Sequence, residues 1–374
     1  MRERTRFVLD YERGLYTMSE LCRRYGVSRE TGYKWWRRYE AAGLSGLEER
    51  SRRPKHCPHK TPKDVESLIV AMRRRHPSWG ANLIIDTLAR QKLDLRLPAP
   101  STAGEILKRH GLVKPRKRRR KVRHPGRPYV EMSAPNDVWP ADFKGEFKTR
   151  DGRYCYPLTI SDGFSRYLLA CRGRHSTRFE TAKPVFIEAF REYGLPRQIL
   201  TDNGGPFASV GLAGLSRLSV WWIRLGIHPI RIEPGCPQQN PRHERMHRTL
   251  KADATVPPAA NMAAQQRAFG RFRKTYNEER PHSSLEKRTP SEVYRSSGRE
   301  YPETLSELEY PEQYEVRLVS SGGGIKWHDE YVFVGKAFAG ERLGFEEVGD
   351  GVCSTYLGPV MVGKFDEREL KIYG

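Results

Sequence analysis

At 374 residues and a formal charge of +22, the chain is too long for one ordinary domain, and its charge calls for a polyanionic partner. Six cysteines lie far apart with no C-x-x-C pair, and neither a signal-peptide core nor an apolar run of membrane-spanning length is present, so a disulfide framework and a membrane protein are excluded and a cytosolic protein with reduced thiols is expected. The charge is segregated: residues 1–128 hold 33 Lys and Arg against 13 Asp and Glu, whereas residues 311–374 hold 7 against 11, so the front third is the part that should attract nucleic acid.

Residues 1–50 read as a helix-turn-helix. A first helix covers about 2–13. Thr17 and Glu20 form a T-x-x-E capping box that opens a short second helix, Gly26 makes the turn, and Ser28 caps a third helix ending at Gly43. Leu21, Tyr25, Val27 and one face of Trp35 and Trp36 supply the core. Arg29, Thr31, Tyr33 and Lys34, at the exposed start of the third helix, are placed to reach base edges in a major groove, with Arg37 and Arg38 on phosphates. Packing is the competing role for Tyr33. In the linker that follows, His56, Cys57 and His59 match no common zinc spacing. Residues 60–113 then read as three more helices, the last capped by Ser101, which suggests a second helix-turn-helix or winged-helix domain. Residues 114–128, with Arg116, Lys117, Arg118, Arg119, Arg120 and Lys121, form a basic strap suited to a DNA backbone or minor groove; a plain flexible linker is the alternative.

From Asn136 the texture changes. Asp162-Gly163 reads as the turn dipeptide between two strands. A helix over about 178–193, a strand ending in "TDNGG", a helix over about 212–225 and a strand "HPIRIE" follow. Helical pattern returns from about 240 to 279 and stops at Pro281. Strands first in hairpins and then alternating with helices imply a mixed α/β sheet covered by helices. Residues 311–374 carry short strands with glycine-rich turns, which predicts a small closed β-barrel.

The α/β region holds a set of acids. Asp142, in "WPADFK", shares a strand face with Pro140 and Lys144, opposite Trp139, Ala141 and Phe143. Asp202 ends a strand, where sites in open α/β sheets collect, and Gly204 and Gly205 let the backbone turn and leave room beside it. Asn240 is a helix cap, Pro241 suits the first helical position, and Glu244 falls in the first turn. Glu244, His247, Arg248 and Lys251 lie within about 100° of one another on the wheel, an exposed basic face opposite Met246 and Leu250. Three such carboxylates suit two Mg²⁺ ions, which together activate an attacking oxygen and stabilise a leaving one across a phosphodiester. Asp142 is expected to bridge the ions, Asp202 and Glu244 each to complete one, and Lys144, Arg248 and Lys251 to hold phosphates. A plainer role for Glu244 is pairing with Arg248 on a solvated helix. Asp162 has a sufficient reason in its turn and stays outside the set.

"WPADFKGEF", "LTDNGGPF" and "PGCPQQNPRHERMHRTLK" resemble the three acidic motifs of integrase-type DDE transposases of bacterial insertion sequences. "YNEERPHSSLEKRTPSEVY" resembles the segment that closes their catalytic core. The resemblance extends over nearly the whole chain, and Pro241 departs from it, standing where the family usually has glycine. It implies a multidomain fold: N-terminal all-α helix-turn-helix units, an α/β RNase H-like catalytic core over 129–300 and the C-terminal small β-barrel over 311–374. It also implies double-stranded DNA as partner, both transposon ends and target. The ends are cleaved by metal-assisted hydrolysis and their 3′-hydroxyls joined to the target, with Mn²⁺ able to replace Mg²⁺. Two ends need two active sites, so a homo-oligomer, dimer or larger, is expected, in the bacterial cytoplasm and on the nucleoid when DNA-bound. The alternatives are a sequence-specific DNA-binding regulator with an inactive core, and a nuclease without strand transfer.

Overall fold

A computed structural model describes residues 2–49, 60–91, 95–113 and 130–374, divided between the units Met1–Lys60 and Thr61–Gly374. The linker residues His56, Cys57 and His59, and Arg116, Lys117, Arg118, Arg119, Arg120 and Lys121 of the strap, lie outside the described residues.

In the first unit, helices α1 (Arg2–Glu12), α2 (Met18–Arg24) and α3 (Arg29–Ala42) pack around Phe7, Val8, Leu21 and Leu47. The caps are those the sequence predicts. Thr17 Oγ1 accepts from the Glu20 amide at 3.3 Å while the Thr17 amide donates to the Glu20 carboxylate at 2.8 Å, and Ser28 Oγ accepts from the Thr31 amide at 3.2 Å. Gly32 lets α3 lie close on α2: a Cβ there would stand 2.6 Å from Cys22 Sγ and 2.8 Å from Met18 Sδ. This packing leaves Arg29, Tyr33, Lys34 and Arg37 exposed and Arg38 half-buried. The Thr31 hydroxyl lies 3.0 Å from Ser28 Oγ, so part of its capacity is spent on the cap.

The second unit opens with α4 (Lys63–Arg75), α5 (Ala81–Arg90) and α6 (Pro100–Arg109), which share a core of Ile69, Trp79, Ile84, Leu88 and Ile106. Ser101 is not the cap of α6. The helix begins two residues earlier, with Ala99 at the cap position and Pro100 at the first turn, where proline has no amide to waste. Arg90 reaches Glu292 at 2.6 Å and Lys287 reaches Asp86 at 2.8 Å, tying these helices to the α/β region.

There the strands are β1 (Val138–Phe143), β2 (Phe147–Lys148), β3 (Tyr154–Ser161), β4 (Leu168–Arg174), β5 (Gln198–Thr201) and β6 (His228–Arg231). The sheet runs β2-β3-β1-β5-β6, with β4 also on β3. The β1–β3 and β3–β4 pairs are antiparallel, and β1–β5 and β5–β6 are parallel, as a mixed sheet requires. Alternation along β1 sends Trp139 and Ala141 into a core with α7 (Phe179–Tyr193) and α8 (Arg217–Arg224), through Phe186, Phe190, Leu218 and Trp222. The other face is covered by α9 (Pro241–Leu250) and α10 (Met262–Lys274), through Met246, Leu250, Phe269 and Phe272. A four-residue helix α11 (Pro290–Val293) closes the region.

Three local expectations change here. The β3–β4 connection runs over residues 162–167, longer than a two-residue turn, because the Asp162 carboxylate is buried and accepts from the Asn136 amide at 2.7 Å, the Ser165 amide at 2.7 Å and Ser165 Oγ at 2.6 Å. The helix expected over 212–225 is a short 3₁₀ turn at Leu212–Gly214 followed by α8, which Ser216 caps. Asn240 holds the cap position of α9, but its backbone (φ −118°, ψ 55°) lies outside the extended region a cap adopts, and its side chain caps nothing.

The closed barrel is also corrected. Strands β7 (Glu315–Leu318), β10 (Arg342–Gly349), β11 (Val352–Leu357), β12 (Val360–Asp366) and β13 (Lys371–Tyr373) form an open sheet in the order β13-β12-β11-β10-β7, and β8 (Gly324–Trp327) and β9 (Glu330–Phe333) form a separate hairpin. The sheet does not need to close on itself. Leu212, Leu215, Val220 and Ile223 of the α/β region pack into the same core as Trp327, Phe345 and Phe365, so a neighbouring element finishes the apolar face.

Candidate active site

Strand register brings two of the acids side by side. Val138, Trp139 and Pro140 of β1 pair with Gln198, Ile199 and Leu200 of β5. Two residues further on, Asp142 lies near the end of β1 and Asp202 just past the end of the neighbouring β5. Asp202 folds back on its own loop, accepting from the Gly204 amide at 3.0 Å. Gly204 makes room for this: a Cβ there would stand 3.2 Å from Asp202 Oδ2.

Helix α9 brings the third acid. Pro241 occupies its first position, and Glu244 is exposed in its first turn. Burial first, then the charges of Asp202 and Glu244, push the Asp142 carboxyl up to about 8, against a weaker opposing pull from Lys144. The three carboxylates therefore share one electrostatic neighbourhood. Lys144 is half-buried beside them, and Arg248 and Lys251 are exposed on α9.

His247 is the main surprise. The wheel puts it on the exposed face; the structure buries it, together with His243. Both imidazoles meet the Thr159 hydroxyl, His243 Nε2 at 2.8 Å and His247 Nε2 at 2.7 Å. Thr159 is the cross-strand partner of Asp142 and donates to its carbonyl oxygen at 3.1 Å. A carbonyl has no proton to offer, so the single hydroxyl proton goes there and both Nε2 atoms must donate to Thr159 Oγ1. His243 Nδ1 is then an acceptor for Ser161 Oγ at 3.0 Å, and His247 Nδ1 faces Asp142 Oδ2 at 3.5 Å as an acceptor. Burial holds His243 down at about 3 and His247 well below its ordinary value, so both rings are neutral. A protonated Asp142 carboxyl is the species that matches this acceptor.

The ligand atoms of Asp142, His243 and His247 lie within 4.8 Å of one another, close enough in principle for a metal ion. The hydrogen bonds argue against that set. Both Nε2 atoms and His243 Nδ1 are already spent on hydroxyls, which leaves only His247 Nδ1. The histidines serve better as supports for Asp142 than as ligands. Only His243 could have been placed from sequence: it lies about 20° from Leu250 on the helical wheel, beside the apolar stripe of Met246 and Leu250.

Comparison with known proteins finds integrase and transposase domains along the chain. An integrase core domain matches residues 132–237 and a second integrase core domain matches 225–290. A helix-turn-helix domain matches residues 3–55, a homeodomain-like domain 31–107, and the C-terminal domain of IS481 family transposases 314–372. The chain is 28% identical over 260 residues to the insertion element IS476 uncharacterized 39.2 kDa protein of Xanthomonas euvesicatoria, across 67% of this chain and 70% of that one. It is 29% identical over 160 residues to the insertion element IS407 uncharacterized 31.7 kDa protein of Burkholderia multivorans, across 42% of this chain and 55% of that one. The HTLV-2 integrase catalytic core domain in complex with magnesium aligns at 16% identity and a TM-score of 0.34, over 43% of this chain and 98% of that one. A likeness that remote carries no argument here.

Proposed function

The chain is an integrase-like transposase of the insertion-sequence type, and from that premise we propose that it binds its element's ends, cleaves them by hydrolysis and joins the freed 3′-hydroxyls to target DNA, with Asp142, Asp202 and Glu244 as catalytic acids. The supporting observation is the meeting of β1, β5 and α9, at which the charges of Asp202 and Glu244 raise the proton affinity of Asp142.

The donor set fits two Mg²⁺ ions, or Mn²⁺ in their place. It is all carboxylate oxygen, carried mainly on regular elements, and its negative charge is poorly balanced by protein groups. Bound there, the ions would activate the attacking oxygen and stabilise the leaving one. Asp142, Asp202 and Glu244 would hold the ions between them. The chain's own groups do the rest. Thr159 fixes the Asp142 main chain through its carbonyl. Lys144, Arg248 and Lys251 hold phosphates beside the acids. Arg29, Thr31, Tyr33 and Lys34 read the terminal repeats, Arg37 and Arg38 meet phosphates, and Arg116, Lys117, Arg118, Arg119, Arg120 and Lys121 lie along the backbone. In each step the bond from phosphorus to its leaving oxygen breaks as one to water, or to the 3′-hydroxyl, forms, with no covalent enzyme intermediate.

Two DNA ends call for two such sites, hence a homo-oligomer, dimer or larger, working on the nucleoid in the cytoplasm. Functional boundaries follow at 1–50, 60–113, 114–128, 129–300 and 311–374. The test is a joining assay with labelled element-end DNA, target DNA and Mg²⁺. Asp202→Asn and Glu244→Gln proteins should bind the ends and form no joined product; wild-type levels of product from either would end the assignment.

A further inference from the structure

On the flank of α9 turned away from Glu244, four guanidinium groups converge on one cavity of about 250 Å³. Arg242 and Arg245 come from α9, about 160° and 100° round the wheel from Glu244. Arg166 comes from the β3–β4 connection, and Arg280 and His282 from the segment after α10. No carboxylate lines the cavity. Among the described residues, none of the four guanidinium groups has a carboxylate within 4.0 Å. Arg280 Nη1 and His282 Nε2 are buried with no hydrogen-bond partner. The acids whose charge reaches the group are Asp162, filled by its three hydrogen bonds, and Asp253, felt by Arg280.

Half-buried cations without counter-ions repel one another, and a guanidinium cluster of this kind matches the geometry of a phosphate group. Burial and then the neighbouring Arg242 bring Arg166 down to about 10. Burial, then the charges of Arg280, Arg166 and Arg245, bring His282 to about 3. A bound oxyanion would relieve the repulsion among the guanidiniums.

We propose that this cavity is an oxyanion site that takes one backbone phosphate of the bound DNA, distinct from the contacts expected of Arg248 and Lys251 beside Glu244. Because Arg242 and Arg245 share α9 with Glu244, a phosphate seated here fixes the register of the DNA on the core. For its ligand the inference rests on the transposase reading.

The test is a scan of element-end DNA in which a single neutral methylphosphonate replaces each phosphate in turn. The DNAs are titrated against the full chain and its Arg245→Gln and Arg280→Gln variants. Arg245 is exposed and its side chain makes no hydrogen bond within the described residues, so that variant is expected to fold. One position should weaken wild-type binding by roughly tenfold or more, and the same position should cost the variants little, since its partner is already gone. Inorganic phosphate should compete with wild type and not with the variants. The proposal is overturned if every position costs wild type and variants alike. It is also overturned if inorganic phosphate alone responds to the variants, for then the site takes a free anion and not DNA. Loss of this site would leave the dependence of joining on Asp202 and Glu244 untouched, so the two readings fail separately.

Discussion

Replacing Asp142 by Asn should stabilise the ion-free protein while destroying its chemistry. The folded carboxyl titrates at about 8, against an ordinary value of 3.8. The folded state therefore holds a proton that the unfolded chain gives up, and the stability this supplies is complete below the unfolded value and is lost as pH rises through the folded one. The buried histidines act with the opposite sign: His243, near 3, and His247, lower still than its ordinary value, gain stability as pH rises towards 6.5. Between pH 6.5 and 8 only the carboxyl contributes strongly, and 1.5 pH units correspond to a loss of up to about 2 kcal/mol. The amide introduced by Asp142→Asn keeps a donor for His247 Nδ1 and cannot ionise, so the stability of that variant should be flat over the window. Urea denaturation in EDTA, followed by tryptophan fluorescence at pH 6.5 and pH 8, measures both proteins. A wild type as stable at pH 8 as at pH 6.5, or an Asp142→Asn variant with the wild-type slope, would refute the electrostatic account.

Thr159→Val should leave both His Nε2–H groups without an acceptor and cost at least about 2 kcal/mol in the same denaturation, whereas Thr159→Ser, which keeps the hydroxyl, should cost much less. Affinity for element-end DNA should fall by roughly 10³–10⁵ between 50 and 200 mM salt, as read by electrophoretic or anisotropy titration; a flat response would mean that the basic front third does not contact phosphates. Manganese binding measured by electron spin resonance should be weakened by Thr159→Val, because the Thr159 hydroxyl fixes the main-chain carbonyl of Asp142 and with it the strand that presents the carboxylate.

What was legible in the sequence was local or periodic. The Thr17–Glu20 box, the Ser28 cap and the turn at Gly26 are short-range chemistry, and each appears as expected. The alternation that separates Asp142 from Trp139 and Ala141 survives because one face of β1 must meet α7 and α8. The failures came from partners distant along the chain. His247 turns inward because Thr159, 88 residues away, supplies a buried acceptor, which no wheel can show. The C-terminal strands stay open because α8 covers them. The arginine cavity draws on residues 166, 242, 245 and 280, whose adjacency exists only after the sheet and α9 have assembled. Asn240 has the right side chain for a cap and the wrong backbone for one.

The claim that three acids act as one site is tested most directly by anomalous diffraction from crystals of the protein with element-end DNA and Mn²⁺. Two manganese peaks are predicted, both in contact with Asp142, one completed by Asp202 and the other by Glu244. A single peak held by Asp142, His243 and His247, or manganese bound away from Glu244, would contradict the account.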